Sequence, residues 1–243
     1  MASTRMALLA LLWVCALTTS TAAQDQDPLR AARFEAPTDR YPHNIMGRLP
    51  AHGGLVVETV SGQTHRSRLP DRLVFEDFAP RLIDTNGDGR TEIVVVESDR
   101  DRGARLAIWS VTGDGLTRIA ATPFIGRRFR WLAPIGAADF DGDGRPELAY
   151  VEKPHLDKVL HIVRHEGNRL VPVARLAGIS NHAIGQETLQ SRIDTCPGGP
   201  QIVALDGSGQ RQLAIRLTAN RLEARDLGPA PTAWQIGHTR ACD

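Results

Sequence analysis

Short apolar runs separated by polar turns recur along the whole chain, and their spacing predicts strands rather than helices. One set is Ile93-Val94-Val95-Val96, Leu148-Ala149-Tyr150-Val151 and Ile202-Val203. A second run follows each: Leu106–Val111, Val159–Val163 and Leu213–Leu217. Each second run ends at a turn signal, Gly113-Asp114-Gly115, Glu166-Gly167-Asn168 or Ala219-Asn220, whose residues tolerate positive φ. A third strand is predicted near Thr117–Ala121, Leu170–Arg175 and Leu222–Asp226. A fourth is predicted near Phe129–Ala138 and Ala183–Ile193, leading into the next repeat.

Upstream, Leu55–Val60 with the turn Ser61-Gly62 repeats the second-strand pattern, and Leu73 to Ile83 reads as a strand feeding the next repeat. His43–Met46 is the weakest match, to a first strand. The last feeding strand, near Ala233–His238, has no successor, while the N-terminal part has strands and no feeding strand. Pairing the two termini removes both deficits and protects sheet edges. The expectation is an all-β fold, a small β-propeller of four four-stranded blades of about 55 residues, closed by N- and C-terminal strands. The competing arrangement is an open stack completed by oligomerisation.

Between the feeding strands and the first apolar runs lie two acidic loops in register. Asp84-Thr85-Asn86-Gly87-Asp88-Gly89-Arg90-Thr91-Glu92 and Asp139-Phe140-Asp141-Gly142-Asp143-Gly144-Arg145-Pro146-Glu147 are 55 residues apart. Alternate oxygen donors suit a hard cation, calcium first. Asp84, Asn86, Asp88 and Glu92 would give side-chain oxygens in one loop, and Asp139, Asp141, Asp143 and Glu147 in the other. Arg90 and Arg145 would give backbone carbonyls. Two Ca²⁺ sites are therefore expected. Position twelve is Val95 or Tyr150 rather than Glu, and a strand follows, which disfavours an EF-hand. A third copy, Ile193-Asp194-Thr195-Cys196-Pro197-Gly198-Gly199, has lost the later ligand positions.

The pattern Asp-x-Asp-x-Asp-Gly-x-x-acid before an aliphatic strand resembles the FG-GAP/VCBS repeats of integrin-α-like β-propellers. Asp139–Glu147 matches in full, and Asp84–Glu92 carries Asn86 at the second ligand. The resemblance implies calcium in the inner blade loops, an extracytoplasmic setting and a binding or adhesion role. Its best-known members have seven blades, and this chain is too short for that. It carries over no set of enzymatic residues.

Composition bears on location more than on chemistry. Residues 1–23 read as a secretory signal: Arg5, then an uncharged run from Met6 to Leu17, then Thr21-Ala22-Ala23. Residues 24–40 are expected to form a flexible lead-in and residues 41–243 the propeller. The expected location is periplasmic or secreted, with no membrane span after cleavage. Net charge is +1, which argues against bulk nucleic-acid binding. Cys196 and Cys242 remain after cleavage, and an even pair in an exported chain points to one disulfide. That bridge would stand where the metal stands in the other repeats and would tie down the C-terminal strand.

Three further patterns give weaker signals. Arg127-Arg128-Phe129-Arg130-Trp131 could bind an anion, but period-2 alternation explains it as a strand. His155, His161, His165 and His182 lack clean zinc spacing. His182 with Glu187 could pair as acid and base, with no nucleophile motif beside them. The expected function is a non-catalytic module binding a protein or glycan, as a monomer. The alternatives are a polysaccharide-acting enzyme using the central pocket, or a structural subunit of a cell-envelope assembly.

Overall fold

The computed structural model describes residues 27–231 and residue 242, which contain 17 strands and no helix. Strand β6 (Glu92–Asp99) is buried along its entire length, so its alternating side chains must enter two different apolar layers. Ile93 and Val95 pack with Leu55, Phe75 and Trp109. Val94 and Val96 pack on the other side with Leu106, Leu132 and Leu148. Strand β10 (Glu147–Glu152) repeats the device. Leu148 and Tyr150 enter the second layer, while Ala149 and Val151 enter a third with Ile162 and Ile202. Sheets buried on both faces must be stacked against one another, and they are.

Four antiparallel units follow in chain order. The first comprises β1 (Leu29–Thr38), β2 (Ala51–Thr59) and β3 (Thr64–Arg68), with β2 in the middle. In the second, β4 (Leu73–Phe75) and β5 (Arg81–Ile83) share one edge of β6, followed by β7 (Gly103–Thr112) and β8 (Gly115–Ala121). The third runs β9 (Leu132–Ala138), β10, β11 (Val159–Glu166), β12 (Arg169–Ala177). In the fourth, β13 (Ile179–Ser180) and β14 (Arg192–Cys196) share one edge of β15 (Gly199–Asp206), followed by β16 (Arg211–Thr218) and β17 (Arg221–Pro229). Single contacts, His52 with Phe75 and Ala121 with Arg169, join the first three units into one 12-stranded sheet. The fourth unit is a separate five-stranded sheet. The fold is all-β and propeller-like.

Several local expectations are corrected. A strand, β1, occupies Leu29–Thr38, where a lead-in without strands was expected. His43–Met46 is no strand; residues 45–48 form a turn. The feeding strand from Leu73 to Ile83 is broken in two. The Asp77 carboxylate accepts the Val96 amide proton at 3.1 Å and so takes the place of a ladder carbonyl between β4 and β5. Residues 126–129 bend and turn, with Phe129 at φ 57°, instead of extending. Strand β14 begins only at Arg192, after an irregular stretch, and the third loop copy is a tight hairpin in which Cys196 pairs with Gly199. The expected C-terminal strand near Ala233–His238 and the signal segment 1–23 lie outside the described residues. No helix among the described residues is long and apolar enough to cross a membrane.

Candidate metal centre

Each acidic loop joins two antiparallel strands: β5 to β6 in the second unit, and β9 to β10 in the third. The leading aspartate shapes the turn by accepting backbone protons. Asp84 accepts from Gly87 at 2.7 Å and Gly89 at 2.8 Å. Asp139 accepts from Gly142 at 2.8 Å and Gly144 at 2.9 Å. The four glycines have φ between 78° and 87°, the left-handed region where a side chain is strained. The later residues match as well: Arg90 N–H donates to Asp88, and Arg145 N–H to Asp143. The two loops lie side by side, since a Cβ on Gly87 would sit 3.4 Å from Pro146 and 3.6 Å from the Gly144 carbonyl.

The closing glutamates differ in their partners. Glu92 is buried and accepts from the Thr85 amide at 2.9 Å and the Thr85 hydroxyl at 2.6 Å. That hydroxyl also meets Nδ1 of His165 from the third unit at 2.8 Å. Glu147 is buried too, and its Oε2 accepts the Phe140 amide at 2.9 Å. Carboxylate oxygens of Asp139, Asp141 and Glu147 lie within 4.8 Å of one another, a donor set that fits a hard divalent cation. The carboxylates of Asp84, Asp88 and Glu92 do not converge in this way among the described residues.

One residue in the second loop was not legible as part of it. Arg164, on β11, is paired with Glu147 across the ladder. Its guanidinium donates to Glu147 Oε1 from Nε at 2.9 Å and to Asp141 at 2.6 Å, and it lies 3.3 Å from Asp143. Burial pushes the Glu147 carboxyl above its ordinary value, with the Arg164 hydrogen bond working against that; the same hydrogen bond holds the Arg164 pKa above its ordinary value.

A family model described as FG-GAP-like repeat matches residues 84–150, which begin at the first acidic loop and end just past the second. Residues 84–150 form an FG-GAP-like repeat segment. No curated protein matches the chain. Among solved structures, a protein from Lactobacillus plantarum is similar at 12% identity and a TM-score of 0.35, over 87% of this chain and 69% of that one. The FG-GAP-like segment contains both acidic loops, the whole of β6, β7, β8 and β9, and the start of β10.

Outside the FG-GAP-like segment, the expected disulfide is present: Cys196 and Cys242 are bonded, with Cα atoms 5.1 Å apart, over Val203 and Ala214. The histidines do not gather at one point. His161 stacks on Tyr150, His165 faces Thr85, and His155 Nε2 meets His182 Nδ1 at 3.0 Å. His182 is not paired with Glu187; its Nε2 meets the Gln186 carbonyl, while Glu187 lies against Arg48. Buried Glu76 meets His43 Nδ1 at 2.7 Å and the Ser98 hydroxyl at 2.5 Å, and it lines a cavity of about 280 Å³ with Tyr41 and Asn44. Burial raises its pKa. An acid directly after the apolar run Leu73-Val74-Phe75 was the sequence signal for this group.

Proposed function

We propose that this chain is an exported, calcium-binding FG-GAP-type module that binds another protein or a glycan and is not an enzyme. The observation carrying the reading is the pair of acidic loops, matched in backbone hydrogen bonding and set side by side within one FG-GAP-like segment. Calcium supplies positive charge that stabilises clustered carboxylates and couples metal binding to folding. Asp139, Asp141, Asp143 and Glu147, with Asp84, Asn86, Asp88 and Glu92 in the first loop, would hold it. Asp84 and Asp139 fix the path of each loop, and the buried glutamates anchor each loop to the strand that follows. The four units would be the blades of a ring closed by the C-terminal strand, with the fourth blade tied by the disulfide.

Calcium titration calorimetry, paired with melting curves in calcium and in chelator, tests the metal reading. Two binding events and a melt that rises with calcium are expected. A flat titration and no shift would overturn it. A pull-down and a glycan array with calcium-loaded protein test the binding role.

A second reading has one observation of its own. Buried Glu76, hydrogen-bonded to His43 at a cavity, has the makings of an acid–base pair. Cleavage in a polysaccharide panel that is lost in Glu76→Gln would favour an enzyme over a binding module.

A further inference from the structure

The two loops share their backbone design but not their charge balance. In the second loop the Arg164 guanidinium lies between the carboxylates, within 3.3 Å of Asp141, Asp143 and Glu147. Side-chain exposure of Arg164 is 16%, and that of Glu147 is 0%, so the contact is shielded from solvent. The matching position in the first loop is one step beyond the Ile93–Trp109 pair, opposite Glu92, and it holds Ser110. Ser110 carries no charge. It lines a cavity of about 610 Å³ with Asp88, Gly89 and Glu92, so the corresponding side of the first loop is open.

We propose that Arg164 is the built-in cation of the second loop, and that a divalent ion enters this loop only by displacing it. Two of the three carboxylates that converge there, Asp141 and Glu147, are held by the guanidinium; in the first loop, with serine at that position, Asp84, Asp88 and Glu92 stay apart. A guanidinium that donates three hydrogen bonds and neutralises charge does part of what calcium does, without being removable by a chelator. The second loop is therefore closed and rigid with or without metal, and its apparent affinity is reduced by the fraction of time Arg164 occupies it. The two loops fill in order, the first before the second. This ordering rests on the calcium reading given above; the role of Arg164 as resident cation does not.

The test exchanges the two residues. Arg164→Ser is expected to tighten calcium binding at the second loop by about tenfold or more, and Ser110→Arg to weaken the first by a similar factor. Titrations in Asp88→Asn and Asp141→Asn backgrounds assign each site to its loop. Equal affinities in the wild type, unchanged by Arg164→Ser, would leave the calcium reading standing and overturn the proposal. A metal-free arm is read in chelator. Arg164→Ser should lower the melting temperature, and adding Asp141→Asn should restore part of the loss, because the carboxylates left behind repel one another. Restoration without any calcium binding would support Arg164 as the cation and sink the calcium reading. Absence of restoration would overturn the proposal. If Arg164→Ser does not fold, Arg164→Gln and the Ser110→Arg exchange give the same comparison.

Discussion

Glu97 is completely buried on β6, and a carboxylate there is tolerable only because three side chains aim donors at it. Arg105 donates at 2.5 Å, Trp109 Nε1 at 2.8 Å and Arg118 at 3.3 Å. Arg118 and Trp109 still face Glu97 after Arg105→Ala, so the loss in urea unfolding should be real but below the roughly 3–5 kcal/mol of a fully broken buried pair. Arg105→Ala with Glu97→Gln should cost less than the two single changes added together. A second, half-buried polar contact, His155 with His182, gives a pH effect. Burial, then the neighbouring His182, lowers the pKa of His155 from 6.5 to about 4. The unfolded chain takes up a proton on this residue first, so stability falls as pH drops from 6.5 towards 4. Melting temperatures across that range should fall more steeply in the wild type than in His155→Gln. The acidic loops were legible because local spacing creates them. Arg164 was not, because it reaches Glu147 from 17 residues away through the pairing of β10 with β11.

At the scale of elements, apolar runs located the central strands, since β6, β10 and β15 are buried on both faces and leave the strongest pattern. Edge segments misled wherever a side chain replaced the ladder. Asp77 takes the Val96 amide and ends β4, and Pro80 follows before β5 can begin. The turn between β6 and β7 shows how tightly such corners are built. Gly103 has φ 72°, and a Cβ there would lie 2.3 Å from the Arg127 carbonyl and 2.8 Å from that of Arg130. Gly167, at φ 60°, has open space around it. Gly103→Ala should therefore cost clearly more than Gly167→Ala, which should lose about 1 kcal/mol from backbone strain alone. Urea unfolding of the two variants side by side checks this. In the strand interior, Ile162→Ala should cost about 2–5 kcal/mol, because Ile162 is fully buried between the third and fourth units.

For the whole molecule, the repeat predicted the order of the units, and the all-β architecture follows it. It did not predict how the units would be joined, because that depends on single contacts at strand ends. The Cys196–Cys242 bond closes a loop of 46 residues around β15, β16 and β17. Replacing both cysteines with serine should lower stability by about 2–4 kcal/mol, and a comparison of oxidised and reduced melts would measure it. The first three units share a strand ladder, but among the described residues no strand of the fourth pairs with any of theirs. Its backbone reaches the third unit where the Ile179 amide donates to the Lys158 carbonyl; packing around Ile162 and Ile202 and side-chain hydrogen bonds, from Lys158 to the Gly207 carbonyl, Ser180 to the Pro154 carbonyl and Asn181 to the Ala133 carbonyl, supply the rest. The molecule thus has a seam. Amide protons of β15 and β16 should exchange with deuterium as one group, at a lower opening energy than those of β6 and β10, and the fourth sheet should detach intact before the others lose structure.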